Sequence, residues 1–310
     1  MIDIVVMYCN DKDSKWLKAM NDCMKKEGSF DRQVIGEERY RDWDCFKYWF
    51  RSVETNCKWF NKIFLIVASP SQLPHWLDTS NPRLRVVYHD EFIPKELLPT
   101  YNSCTIELYI DNIKDLSNNY VFCNDDFYFI NDIPQVMFFN NNLPVYNNKL
   151  CPLQNYSGDL LNSSDATFYK ILNNCNDFRV KVAGNKASGY EITHLPVPNK
   201  KDFGKEILDK YADFFIQSQG ISKFRHKNNV SRQLLVCLYR DLNPYFRANT
   251  HHNSSYVTLK STVNFDDYID KDMVCFNDTE QLDDFDLTKK HLVSFLEKRF
   301  PNKSSFELEN

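Results

Sequence analysis

Residues 1–26, MIDIVVMYCNDKDSKWLKAMNDCMKK, decide the fold class. Ile2 to Tyr8 is a compact apolar and β-branched run that ends in the polar turn CNDKD. The stretch beyond it sets Trp16, Leu17, Met20 and Met24 on one side of a helix, with Asp13 or Ser14 placed to cap its start. Strand, turn and helix form the unit of an α/β protein. A helix N-terminus just past a strand end can also hold phosphate through free backbone N–H groups. Any β-α unit offers that feature, so alone it names no ligand.

The unit recurs along the chain. DCFKYWFRSVETNC (44–57) reads as a helix and KIFLIVAS (62–69) as a buried strand closed by SPSQLP. LRVVYH (84–89) is another strand, and the loosely helical TIELYIDNIKDLS (105–117) leads into the strand YVFCNDDFYFI (120–130). Such alternation predicts a largely parallel sheet covered on both faces, with ligands at the carboxyl ends of its strands. From 131 to 190 the pattern loosens into Asn-rich and Pro-containing sequence, consistent with an insertion or lid. Residues 191–310 read as a mainly helical half, with helices in GKEILDKYADFFIQSQ (204–219), NNVSRQLLVCLYRDL (228–242) and DLTKKHLVSFLEKRF (286–300). The last is expected to be capped by Asp286 and to stop before Pro301.

Composition narrows the classes. A chain of 310 residues that is 43% apolar can bury one good core with at most a small subdomain. Its 38 basic and 42 acidic residues are mixed along the sequence, so no basic stripe suggests nucleic acid. The first apolar run is broken by Asp3 and lacks a basic flank, which argues against a secretory signal, and runs such as IFLIVA (63–68) are too short to span a bilayer. A soluble cytoplasmic protein is expected, with peripheral association at the inner membrane face as the furthest extent of membrane contact. The ten cysteines are scattered and form no CxxC pair, so they read as reduced, buried small hydrophobes rather than a disulfide, zinc or redox framework.

The residues with chemical potential are few. Asn124, Asp125 and Asp126 form a polar triplet inside an apolar, aromatic strand. Adjacent carboxylates are costly to bury unless they bind a cation or share a proton, and such hard oxygen donors suit Mg²⁺ or Mn²⁺ held against a pyrophosphate. A tight exposed turn is the plain alternative. Asn277 and Asp278 in VCFNDTE (274–280) form a second acidic site, able to converge with the first on one metal or simply to enter a turn. His194 lies in EITHLPVPNKK (191–201), kept extended by Pro196 and Pro198. Arg225 and His226 in SKFRHKNN (222–229) pair a permanent cation with a titratable group, which fits an anionic phosphate or a solvated basic loop. Arg39, Arg41 and Arg51 are either surface charges or part of a nucleotide site.

In this order the segments resemble the Stealth family of capsular polysaccharide phosphotransferases, which also includes the catalytic part of the lysosomal-enzyme GlcNAc-1-phosphotransferase. Four blocks carry the resemblance, nearly end to end. The first is IDIVVMYCNDKDSKW (2–16). The second runs from RYRDWDCFKYWFRSVE (39–54) through LPTYNSCTIE (98–107) to FCNDDF (122–127). The third runs from THLPVP (193–198) to FRHKNN (224–229), and the fourth from CFNDT (275–279) to FPNKSSFE (300–307).

The resemblance implies a single catalytic domain over 1–310 with a Rossmann-like, glycosyltransferase-A-like core and a C-terminal helical portion. It implies a nucleotide-sugar donor, Mg²⁺ or Mn²⁺, and a glycan acceptor, lipid-linked or free. The implied reaction moves a hexose 1-phosphate onto a glycan hydroxyl and releases a nucleoside monophosphate. The family's functional positions fall on Asp125, Asp126, His194, Arg225 and Asp278. One of the adjacent aspartates is expected to deprotonate the acceptor, Asp126, Asn277 and Asp278 to hold the metal, and His194 and Arg225 to face the transferring phosphoryl group. Asn10, Asp13, Arg39, Arg41, Arg51, Asn102, Ser103, Asn124 and His226 are expected to contact donor or acceptor. The first block departs from the family's usual V-D-G-S-D-P, since Asp11 stands in place of the glycine, and this leaves the donor's identity open. A metal-dependent glycosyltransferase moving the sugar alone and a non-catalytic glycan-binding protein are the competing readings.

Overall fold

The computed structural model describes residues 1–28, 36, 38, 40–146, 150–163, 165–191, 194–243, 247–248 and 253–309. The first β-α units form as their patterning predicts. Strand β1 (Ile2–Met7) leads to helix α1 (Ser14–Glu27), and helix α2 (Phe46–Asn56) leads to strands β2 (Ile63–Val67) and β3 (Leu84–Tyr88). Helix α3 (Ser103–Leu108) and a 3-10 turn precede β4 (Asn119–Cys123) and β5 (Phe127–Phe129). The short strands β6 (Phe139–Asn140), β7 (Leu143–Tyr146) and β8 (Leu150–Cys151) come before the long helix α4 (Ala166–Ala183). Next are β9 (Gly189–Tyr190), β10 (Val197–Lys200), α5 (Lys201–Lys210), α6 (Ala212–Gln219) and α7 (Gln233–Leu242). Strands β11 (Arg247–Ala248), β12 (Ser254–Thr258) and β13 (Met273–Asn277) and helix α8 (Phe285–Arg299) complete the order.

The central sheet runs β10-β4-β1-β2-β3, parallel throughout except for β10, which pairs antiparallel with β4. The order β3-β2-β1-β4 reverses direction between β1 and β4, and that switch point is where an open α/β sheet leaves a crevice at its strand ends. The strands alternate by residue. Ile2, Ile4, Val6, Leu65 and Val121 enter one core with α2 and α8, while Val5, Phe64, Ile66, Tyr120 and Phe122 enter another with α3 to α7. The sheet is thus covered on both faces, as expected for an α/β fold with a helical C-terminal part.

Asp3 breaks the apolar run for a structural reason. Its buried carboxylate accepts from Asn61 Nδ2 at 2.8 Å, Lys62 N at 3.2 Å and Ser117 N at 2.8 Å, tying the chain entries of β2 and β4 to β1.

Three local readings need correction. YVFCNDDFYFI is two strands rather than one, since β4 belongs to the central sheet while β5 pairs with β13 in a separate sheet ordered β12-β13-β5. Asn124 to Asp126 therefore form the crossing between two sheets. Helix α8 starts earlier than expected, because Asp284 accepts from Leu287 N at 3.0 Å and is the cap, leaving Asp286 in the first turn. The N-terminus of α1 is closed to phosphate, because the Asp13 carboxylate accepts from its Lys15 and Trp16 N–H groups. No helix among the described residues is long and apolar enough to cross a membrane.

Candidate active site

A cavity of about 360 Å³ opens at the switch point, and both sheets contribute to it. The end of β1 supplies Tyr8 and Cys9, and the crossing after β4 supplies Asn124, Asp125 and Asp126. Tyr8 is held flat against Phe46 of α2, with ring centroids 4.4 Å apart. Trp16, Tyr40 and Tyr101 make an aromatic corner, Trp16 lying 5.4 Å from Tyr40 and 5.5 Å from Tyr101.

The acidic pair sits in a recess, not on an exposed turn. Burial, and then Asp126 beside it, push the Asp125 carboxyl up to about 7. Asp126 is fixed to the second sheet, where its backbone carbonyl accepts from Phe276 N at 3.0 Å and its Oδ2 from Cys275 Sγ at 3.2 Å. His194 Nε2 stands 3.9 Å from the same oxygen. Burial works against charge on His194, but Asp126 outweighs it and Glu107 adds to the effect, so the imidazole's pKa is raised. Arg225 also lines the cavity and donates through Nη2 to Ser103 Oγ at 2.6 Å. Asn102 caps α3 and donates to Asn229 Oδ1 at 2.9 Å, which ties the Arg225 loop to that helix.

The site has donors for a divalent cation. The Oδ1 atoms of Asn124 and Asp126 are shielded from solvent and have no hydrogen-bond partner among the described residues. Two unpartnered hard oxygens beside a second carboxylate fit Mg²⁺ or Mn²⁺. Asp126, His194 and Cys275 also bring one ligand atom each within 4.8 Å of one another, a mixed oxygen, nitrogen and sulfur set of the kind a softer ion takes.

Asp278 is placed differently from its expected role as a ligand. Arg41 grips it through Nε at 2.9 Å and Nη2 at 2.8 Å, and Trp43 Nε1 donates at 3.0 Å. Thr279 N adds a bond at 2.7 Å, so both carboxylate oxygens are engaged. Asn277 donates to the Asp278 carbonyl at 2.6 Å. Arg41 is stacked over Phe285, its guanidinium carbon 4.9 Å from the ring centre.

Of the residues singled out in the sequence, Arg41, Ser103, Asn124, Asp125, Asp126, His194, Arg225, Asn277 and Asp278 line this cavity. Asn10, Asp13, Arg51, Asn102 and His226 are not among its lining residues. Asp13 is held by Ser71 at 2.6 Å and Gln72 at 3.0 Å besides capping α1. Arg51 is buried in an ion pair with Glu307, at 2.7 and 2.6 Å, and His226 Nδ1 accepts from Asn228 N at 3.2 Å. Arg39 lies outside the described residues. Tyr8, Trp16, Glu107 and Cys275 escaped the reading of single motifs. The legible signal was for Glu107, four residues after Ser103 and so on the same side of a helix.

Comparison with known proteins identifies the family. Residues 39–146 match the family model for Stealth protein CR2, conserved region 2, and residues 268–310 match Stealth protein CR4, conserved region 4. A capsular polysaccharide phosphotransferase WcwK of Streptococcus pneumoniae is 33% identical over 99% of this chain and 98% of its own. The receptor polysaccharide phosphotransferase WefC of Streptococcus gordonii is 28% identical over 99% of both chains. The exopolysaccharide phosphotransferase cps2G of Lactiplantibacillus plantarum is 26% identical over 99% of this chain and 96% of its own. With two conserved regions in place and a third of its residues shared along a full-length relative, the chain belongs to the Stealth family of polysaccharide phosphotransferases.

Proposed function

We propose that the protein transfers a hexose 1-phosphate from a nucleotide-diphosphate sugar to a glycan hydroxyl during surface polysaccharide synthesis. The observation that carries this reading is the meeting of Asp125, Asp126, His194 and Arg225 in one crevice at the strand ends. The acceptor oxygen attacks the phosphorus nearest the sugar, and the bond from that phosphorus to the bridging oxygen breaks. A nucleoside monophosphate leaves, a phosphodiester joins the two sugars, and the sugar's anomeric carbon is untouched. Such chemistry needs placement and charge neutralisation more than covalent help.

The acceptor's proton passes to the Asp125 carboxylate, whose environment keeps it a competent base near neutrality. Arg225 and His194 face the phosphoryl oxygens, and Ser103 holds Arg225 in that direction. Asn124 and Asp126 would hold Mg²⁺ or Mn²⁺, which would supply Lewis-acid neutralisation of the pyrophosphate. Arg41 adds a donor on the same side, fixed by Asp278.

The test is to incubate the protein with uridine- and guanosine-diphosphate sugars, Mg²⁺ or Mn²⁺ and glycan acceptors, and to identify the nucleotide released. Monophosphate, with an acceptor heavier by a sugar phosphate, is expected. Diphosphate would mean that the sugar alone is moved. Asp126→Ala and Arg225→Ala should each lower kcat/KM by at least about a thousandfold with the circular dichroism unchanged. Near wild-type rates in both would overturn the assignment.

A further inference from the structure

The cavity accounts for a donor, but an acceptor has to bring its hydroxyl to the same carboxylates from outside. One exposed side chain touches a wall residue of that site. Tyr256 lies on β12, directly opposite Cys275 of the parallel neighbour β13, so the two side chains share a face of the sheet. Cys275 is buried and touches Asp126, whereas Tyr256 is 53% exposed. The Tyr256 ring meets the edge of His194, with centroids 5.6 Å apart and planes at 80°. His194 lines the cavity, so the exposed tyrosine packs against a wall residue of the site without itself being among the lining residues.

A lone exposed aromatic ring is ordinary on a protein surface. What distinguishes Tyr256 is its neighbour. Several large apolar side chains are exposed, from Val136 to Leu308, and among those of the described residues Tyr256 is the one with a ring contact to His194, whose imidazole also meets the buried Phe127 at 5.1 Å between centroids.

The chemistry of this edge fits a sugar ring. A pyranose presents a face of C–H groups with partial positive charge, which suits the negative face of an aromatic ring while its hydroxyls remain in water or reach nearby carboxylates. We propose that Tyr256 is the stacking platform for the terminal sugar of the acceptor glycan, directing its hydroxyl past His194 towards the Asp125 carboxylate. This rests on the phosphotransfer reading above and names the acceptor side of it.

The probe is the repeat oligosaccharide obtained by cleaving the phosphodiesters of the source organism's own surface polysaccharide and removing the phosphate. Its binding to the full chain is followed by saturation-transfer NMR, its use by nucleotide release, and donor affinity by calorimetry. Tyr256→Ala should raise the oligosaccharide KM roughly 3- to 10-fold and remove its saturation transfer, with donor affinity and melting temperature unchanged. Tyr256→Trp, a larger platform, should keep both. An unchanged KM in the alanine variant overturns the proposal, and so does a parallel loss of donor affinity, which would make Tyr256 a support for His194. Absence of saturation transfer in the wild type overturns it as well. If the wild type binds the oligosaccharide through Tyr256 but releases no nucleotide from any donor, the phosphotransfer reading fails while the platform stands as a glycan site.

Discussion

Both carboxylate oxygens of Asp278 are engaged by Arg41, Trp43 and Thr279, which leaves the residue poorly placed to accept a cation but well placed to aim an arginine. A bidentate grip removes the rotamer freedom of a long side chain, so on the proposed reading Arg41 would meet a phosphate without a further ordering cost. Asp278→Asn keeps the shape and loses the charge. It should raise donor KM by about tenfold, with Mn²⁺ affinity by electron paramagnetic resonance unaltered. A drop in Mn²⁺ affinity at constant donor KM would return Asp278 to the metal. His89, on the cavity wall, makes a separate prediction. Burial alone pushes its pKa down to about 4, below the ordinary 6.5. The unfolded chain therefore takes up a proton between those values and the native state does not, so stability present above pH 6.5 is lost as pH falls towards 4. With the ring partly open to the cavity, the loss is on the order of 2 kcal/mol. Urea melts at pH 7 and pH 5 should show a smaller difference for His89→Gln than for the wild type.

At the scale of elements, the crossing between β4 and β5 creates the site. Each strand is short and fully buried, and they serve different sheets, so the three polar residues between them cannot withdraw to solvent without unpairing one sheet. Helix α8 closes the arrangement from the side of β13, and its position depends on where it starts. The cap is Asp284, so Asp284→Ala should cost about 1 kcal/mol, whereas Asp286→Ala, in the first turn, should change only a weaker dipole term. Thermal melts of the two variants decide the point, and an equal effect would mean that the cap carries no special share.

For the molecule as a whole, the C-terminal segment is tied back to α2 across more than two hundred positions. Arg51 on α2 binds Glu307 through two hydrogen bonds and the Phe300 carbonyl through a third at 3.0 Å, and Phe306 is completely buried beside it. Both charged side chains are less than a tenth exposed. Removing one partner leaves a charge buried without compensation, so Arg51→Ala should destabilise by about 3 kcal/mol in denaturant. Donor affinity of the folded fraction should be unchanged, and a loss of affinity without loss of stability would restore Arg51 to the nucleotide site.

The α/β class and the parallel sheet were legible in the sequence, as was a set of residues, Asp125, Asp126, His194 and Arg225, that the fold brings to the lining of one cavity. Burial patterning is a local property, written in IDIVVM and IFLIV as runs apolar on both faces, and the order of the family blocks names the acidic and basic positions. The partners of charged groups were not legible. Arg41 with Asp278, 237 positions apart, and Arg51 with Glu307, 256 apart, are pairs that only chain folding brings together, and each partner changes what its arginine is free to do. The same limit applies to Tyr256, an ordinary surface tyrosine until two strands in parallel register set it beside Cys275 and against His194. Local sequence fixes which groups exist and the elements they ride on, whereas the distances that turn those groups into ligand, base or platform are settled by long-range packing.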